Sequence, residues 1–359
     1  MQSNRGNRLV ALLVGAAASA LVAGAATAQD ACTEMQVFLS ISPAHRDNVM
    51  SYIAPKLKEE MGVTLVAEEI GSANMVERLS AQMPNPRVTI AQWDVPIGVS
   101  ACADGMCAPI DLSKAPNAGK LFDWAYTKDG DDVVVLATNV LGVGLLYNEE
   151  ALKEAGIEPP TSWTDLADPS FAGRISITAP ASTWGTAQLV KWAQMGGGGV
   201  DNIDPGFEFA ESLMDNMHTV HTWSSEMSNL MQLGEVWLST TGSNMGAALR
   251  AKGLPVRWVL PEEGSPVAAG GLSFVKGAPC TEAAYRYLDL YYSDEFQLLR
   301  VKDGGLASPS PTAWDKIPDE TKADMDLTSK EFDKLEALDW KAINAVRPEW
   351  IERWNREIR

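Results

Sequence analysis

Basic residues are scarce in this chain: 29 Lys and Arg stand against 47 Asp and Glu, a formal net charge of −18 over 359 residues. Phosphate backbones and anionic bilayers are held by Lys and Arg, so this balance excludes nucleic acid and an anionic membrane surface as partners. Histidine is scarcer still, with only His45, His218 and His221, none of them near the Cys102-x4-Cys107 pair, so no zinc set is written and no metal or cofactor is expected. Enzyme motifs are missing as well. There is no G-x-S-x-G, no H-E-x-x-H, no Walker A loop and no strand-linked G-x-G-x-x-G followed by an acid. The adjacent acids Glu68-Glu69 and Glu262-Glu263 point apart or flank a turn instead of forming a catalytic pair. The glycine run Gly196–Gly199 is followed by no Lys-Ser/Thr and no immediate helix, which makes it a helix end and loop, not a phosphate cradle.

What is present begins with Met1–Ala28. Arg5 and Arg8 precede an uncharged Leu9–Ala26, and Ala26-Thr27-Ala28 reads as a cleavage site, the pattern of a secretory signal. A retained anchor is the competing reading; the Ala and Gly content of the run and the A-x-A site favour cleavage before Gln29. Cys32 follows Gln29-Asp30-Ala31, which lacks a lipoprotein pattern, so a soluble exported protein with no further transmembrane segment is expected. Loss of Arg5 and Arg8 takes the formal charge from −18 to −20, and 359 residues less 28 leaves 331, more than one core usually serves. Two lobes are the expectation. In an exported chain, Cys102 and Cys107 enclose a turn and are expected to pair, and Cys32 then pairs with Cys280 by elimination.

The first lobe opens with a strand at Met35–Ser40 and a helix at Arg46–Met61 whose Val49, Ile53, Leu57 and Met61 recur on one face. Strands at Val63–Glu68 and Val88–Ala91, with a helix at Asn74–Met83 between, extend a parallel sheet. Ser42, His45, Ser72 and Asp94 follow these strands, at the carboxyl ends where an open parallel sheet takes its ligand. His45 reads otherwise as an exposed or capping residue. Asp94 offers a carboxylate to a cation, or caps a loop. Further on, a strand at Arg174–Thr178 leads through Ser182, Thr183 and Trp184 into the helix Ala187–Gln194, so these residues are either ordinary caps or solute contacts. Trp223, Ser225, and Thr240, Thr241, Ser243 and Asn244 in the polar stretch after Gly234-Glu235-Val236-Trp237-Leu238 complete the candidates. They are mostly hydroxyls, amides and indoles, which favours a neutral or zwitterionic solute.

The organising stretch is Val133–Ile177. Its nearly unbroken apolar opening, Val133–Leu146, reads as one long buried strand bent at Gly142 and Gly144. Asn148 caps the helix Glu149–Ala155, Gly156 ends it, and Ser162-x-x-Asp165 is a capping box. The string G-x-G-L-L-Y-N-x-x-x-L-x-x-A-G-I-x-P-P-x-S-W-x-D-L, followed by Phe171-Ala172-Gly173-Arg174-Ile175, resembles the periplasmic solute-binding proteins of ABC importers. The branch it resembles holds the spermidine/putrescine- and ferric-binding proteins. The resemblance implies the type II periplasmic-binding-protein fold, α/β, with two lobes. Each lobe is a mixed, mostly parallel sheet flanked by helices, and hinge strands join the two. The lobes expected are 29–138 plus 270–303 and 139–269 plus 304–359. It further implies a monomeric receptor in a Gram-negative periplasm that passes a small polar solute to a membrane permease. The strand is then the first crossing, with Gly270–Val275 and Gly304–Pro311 as the others. The alternative is an exported hydrolase or lyase on the same architecture.

Three departures set the chain apart from those relatives. Polyamine binders carry an aromatic and an aspartate after the Pro-x-Glu-Gly turn, where this chain has Ala268 and Gly270. They also tend to have a tryptophan before the glycines of the crossing strand, where this chain has Asn139 and Val140. Ferric binders place adjacent tyrosines where Thr240-Thr241 stand. Tyr291-Tyr292 lie in an apolar helical stretch, Ala283–Leu299, and read as core. Helices are expected at Pro318–Met325 and Ser329–Arg356, with Trp340, Trp350 and Trp354 as packing residues.

Overall fold

In the computed structural model the described residues are 32–39, 43–304, 307–323 and 325–358; the expected leader Met1–Ala28 and the candidate Ser42 lie outside them. Hydrophobic periodicity gives two mixed sheets. The first takes β1 (Glu34–Leu39), β2 (Thr64–Glu69), β3 (Val88–Asp94), β4 (Cys107–Ala108), β5 (Tyr126–Asp129) and β6 (Asp132–Ala137). The second takes β7 (Leu141–Asn148), β8 (Ile175–Thr178), β9 (Met217–His221), β10 (Leu238–Gly242), β11 (Val256–Val259) and β12 (Ser265–Ala268). The chain then returns to the first sheet with β13 (Gly270–Val275), and β14 (Leu335–Glu336) closes the edge of the second. The orders are β2-β1-β3-β13-β6-β5, with β4 on β13, and β14-β12-β7-β10-β8-β9, with β11 on β7. Parallel pairing links β1 to β2 and β3, and β8 to β9 and β10. The strands next to the crossings, β13 and β7, enter antiparallel.

Alternation along β1 buries Met35, Val37 and Leu39 against Val49, Ile53 and Leu57 on one side. The same cluster takes in Tyr291 and Tyr292, which are core residues. Met61, expected on that apolar face, is instead 38% exposed, because Gly62 ends the helix at that turn. The helical stretch expected at Ala283–Leu299 is two helices, Thr281–Tyr291 and Asp294–Gly304. The long C-terminal helix is shorter than its periodicity suggested: a 3-10 turn at Ser329–Lys334 and β14 come first, and Trp340–Glu357 follows with Asp339 as its cap. Trp340, Trp350 and Trp354 are buried in the second core. Among the described residues no helix is long and apolar enough to cross a membrane.

The run Val133–Leu146 is not one bent strand. It breaks at Thr138-Asn139-Val140, where the chain passes from β6 in one sheet to β7 in the other. Its backbone groups are satisfied across crossings: Thr138 N–H donates to Gly270 O at 2.8 Å, and Val140 N–H donates to Ala307 O at 2.8 Å. The glycines do a different job. A Cβ on Gly144 would meet the Trp258 indole at 2.5 Å and Val259 O at 2.6 Å, so β7 is bare there to seat that ring. Gly144→Val is therefore expected to cost about 3 kcal/mol by overpacking, read as a lower urea midpoint at an unchanged slope. Both disulfides form as paired by sequence, Cys32–Cys280 and Cys102–Cys107.

Candidate functional site

The crossings have a cavity on either side of them. Asp94, Asn139, Ala268 and Gly270 line a front cavity of about 430 Å³. Val95, Ala137 and Val267, close to them in the chain, line a rear cavity of about 470 Å³. Ala269 borders both. The rear cavity has an apolar floor that includes Val99, Val134 and Leu338, and charges of both signs at Asp129, Asp339 and Lys341. The front cavity is the candidate site, because polar groups converge on it from the ends of parallel strands. Asp94 ends β3, Thr178 ends β8 and His221 ends β9.

On the first-sheet side, Ser72 Oγ donates to Asp94 Oδ2 at 3.2 Å and accepts Asp94 N–H at 3.1 Å. The residue is exposed to the cavity, and partial desolvation by the surrounding walls raises its pKa against the opposing Ser72 bond. Among the described residues no Lys or Arg pairs with it, and the lining holds neither residue type. Asn139 sits at the base, its Oδ1 accepting Gly270 N–H at 3.0 Å and the Thr138 hydroxyl at 3.1 Å. That clamp ties two crossings together.

On the second-sheet side, the turn before the helix Thr183–Met195 is held by Arg347, whose guanidinium donates to Pro180 O at 3.2 Å and Ala181 O at 2.8 Å. Ser182 caps the helix, accepting Trp184 N–H at 3.1 Å. Trp184 leans over Gly242, where a Cβ would meet its ring at 2.7 Å. Trp223 stands at the rim, 68% exposed. Its backbone is fixed by Glu226, which accepts the N–H of Trp223 at 3.0 Å and of Thr222 at 2.9 Å; these bonds lower the Glu226 pKa.

His221 is buried, and burial pushes its pKa down to about 4. Thr178 Oγ1 donates to Thr240 O at 2.8 Å, which assigns the Nε2–H tautomer: Nε2–H donates to Thr178 Oγ1 at 3.0 Å and Nδ1 accepts the Ser176 hydroxyl at 2.6 Å. The Ser176–His221 contact has the geometry of a nucleophile pair but not the access, since Ser176 is 0% exposed inside β8.

Of the candidates read from sequence, Asp94, Asn139, Ser182, Thr183, Trp184 and Trp223 line the front cavity. Ser72 stands behind Asp94. Several others do not come together there. His45 is a core residue, neither cap nor contact: it bonds Gln92 at 3.2 Å, and burial, aided by the nearby Arg300 charge, lowers its pKa to about 3. Thr240 and Thr241 were expected in a cleft loop, but the strand begins at Leu238 instead of Gly234 and carries both into the sheet at 0% exposure. Thr240 braces the wall, its Oγ1 accepting Thr178 N–H at 2.9 Å. Ser243 is buried, its Oγ accepting Gly142 N–H at 3.3 Å, and the Oδ1 of Asn244 is buried without a partner among the described residues. Ser225 is exposed on the helix Ser224–Gln232, and Ser224 lines the cavity in its place. Sequence reasoning missed Thr178 and His221. The strand-end rule that found Asp94 applies to both.

Comparison with known proteins places this geometry. A family model described as bacterial extracellular solute-binding protein matches residues 93–346. An uncharacterized protein of Haemophilus influenzae is 28% identical over 306 residues, 80% of this chain and 81% of that one. Among solved structures, an ABC transporter protein from Clostridium perfringens has a TM-score of 0.79 at 22% identity, covering 90% of this chain and 100% of that one. The spermidine/putrescine substrate-binding protein PotD of Streptococcus pneumoniae has 0.74 at 17%, covering 90% and 99%. The periplasmic binding protein AfuA of Actinobacillus pleuropneumoniae, with fructose-6-phosphate bound, has 0.64 at 22%, covering 90% and 98%.

Proposed function

The chain belongs to the bacterial extracellular solute-binding proteins, and from that premise we propose that it is the periplasmic receptor of an ABC importer. It captures a small polar solute between two lobes, 29–138 plus 270–303 and 139–269 plus 304–359, and hands it as a monomer to the membrane permease. The leader Met1–Ala28 directs export and is removed. The observation that carries this reading is the front cavity itself. Strand ends from both sheets face it, and the crossing residues Asn139 and Ala268–Gly270 form its base. Rotation about those crossings closes the walls on a solute, with the crossing backbone absorbing the change.

The solutes named for the similar structures do not carry over. A phosphate sugar such as the one bound by AfuA calls for a cationic wall, and this lining has no Lys or Arg. A polyamine calls for several carboxylates, and Ala268 and Gly270 face the cavity where polyamine binders place an aromatic and an aspartate.

A thermal-shift screen of the mature protein across amines, amino acids, sugars and compatible solutes, followed by small-angle scattering with each hit, tests the receptor. A solute at one hundred times its Kd should stabilise by about 2.7 kcal/mol and reduce the radius of gyration. Steady consumption of the stabilising compound would show an enzyme instead.

A further inference from the structure

Resting on the receptor reading, we propose that the solute is a small organic monocation, such as a quaternary ammonium or a cationic ring, held between the Asp94 carboxylate and the indoles of Trp184 and Trp223. Charge counting carries the argument. Among the described residues Asp94 is the only charged side chain in the front lining, His221 being held neutral in its Ser176–Thr178 bonds. The carboxylate is exposed to the open cavity, is braced by Ser72 and, among the described residues, is paired with no cation of the protein; closure of the walls on a solute takes it out of water. A charge taken out of water on closure is stable only when paired, so one carboxylate accommodates one positive charge, and a diamine or polyamine would leave the second unpaired. This moves the expectation away from the neutral or zwitterionic solute suggested by the hydroxyls and amides of the sequence.

The opposite wall supplies the complementary chemistry. Ring faces attract cations, and indole does so best. Trp184 is half-buried and seated by the bare Gly242, and Trp223 is a large apolar side chain left 68% exposed at the rim. At the rim of the cavity that exposed indole presents an aromatic face to an entering solute. Asp94 belongs to the first sheet and both indoles flank strands of the second. A cation between them contacts both lobes only when they approach, so its binding energy favours the closed form. A methylated or ring cation suits this wall better than a bare ammonium, since it sheds its hydration more readily against aromatic faces.

Titration calorimetry and tryptophan emission on the mature chain test it. The probes are tetramethylammonium, choline, N-methylpyridinium, putrescine and spermidine, with 3,3-dimethylbutanol as the uncharged shape-match of choline. At least one monocation should bind 30-fold or more tighter than its neutral counterpart and than the polyamines. Asp94→Asn should weaken that monocation 30-fold or more without lowering the melting temperature of the empty protein. Trp184→Leu and Trp223→Leu should each weaken it about 10-fold. Selective binding of a neutral sugar, an anion or spermidine that Asp94→Asn leaves unchanged would overturn the cation and leave the receptor standing. Failure of the probes and of the whole screened solute panel to bind or compact the protein would overturn both.

Discussion

Replacing Cys32 and Cys280 together by serine is expected to lower the unfolding free energy by about 5 kcal/mol, whereas the same change at Cys102 and Cys107 should cost about 2. The difference lies in the unfolded chain. Cys32–Cys280 spans 248 residues, and the loop it closes holds β1 through β13, including nearly all of the second sheet. Cys102–Cys107 spans 5 and constrains one turn. Loop entropy grows with the logarithm of length, so the ratio of the two spans corresponds to about 3 kcal/mol. In the folded protein the long bridge anchors β1 to the start of the helix Thr281–Tyr291, while β1 itself stays paired to β2 and β3. Denaturant melts of the two double variants check the ordering; equal midpoint losses would contradict the entropic account. Reducing agent should act on the wild-type protein as the two pairs of substitutions do together.

Acid should unfold the protein well above the ordinary carboxylate range. His45 and His221 are both neutral and buried, with pKa values near 3 and 4 against an ordinary 6.5. Above pH 6.5 both the folded and unfolded states hold these rings neutral, and stability is at its full value. As pH falls below 6.5 the unfolded chain takes up the protons and the folded chain does not, so stability declines until the folded pKa values are reached. The shifts correspond to about 5 kcal/mol for His45 and about 3 for His221. Asp94 and Asp326 act in the opposite direction, since burial raises their pKa values and their contribution grows on acidification. Carboxylates held low by hydrogen bonds, such as Glu226 under the N–H groups of Trp223 and Thr222, add their loss only below about pH 4.5. Between pH 6.5 and 4.5 the histidines lower stability on acidification while the raised carboxyls oppose them, so the change of slope on removing a histidine reports that ring. His45→Gln and His221→Gln should each flatten the slope of stability against pH there, whatever they do to its height. A slope unaltered in both variants would place the proton uptake elsewhere.

Local sequence wrote much of this molecule. The helix Glu149–Ala155 with its Asn148 cap and Gly156 terminator and the Ser162–Asp165 capping box depend on neighbours within a few residues, and all form where read. The six candidates at the front cavity were legible because strand ends and helix starts place side chains by position alone. His45 was not legible. A polar ring after a strand looks alike whether it faces a cleft or packs against Tyr291 and Phe296, as it does here. Thr240 and Thr241 failed for a related reason: small hydroxyl residues suit a loop and a buried strand equally, and pairing with β7 and β8 decided for the strand.

By itself, the sequence determined the class of protein, the cysteine pairing and where the chain passes between sheets to within a few residues, since each follows from order along the chain. Tertiary structure alone decided that the passage is Thr138–Val140 and not the glycines, because Gly142 and Gly144 are shaped by the Trp258 ring, distant in sequence. It alone set an unpaired Asp94 on the first sheet and two indoles on the second around one cavity. Charge pairing and ring contacts act through space between segments roughly a hundred residues apart, and no local pattern records which carboxylate is left, among the described residues, without a cationic partner.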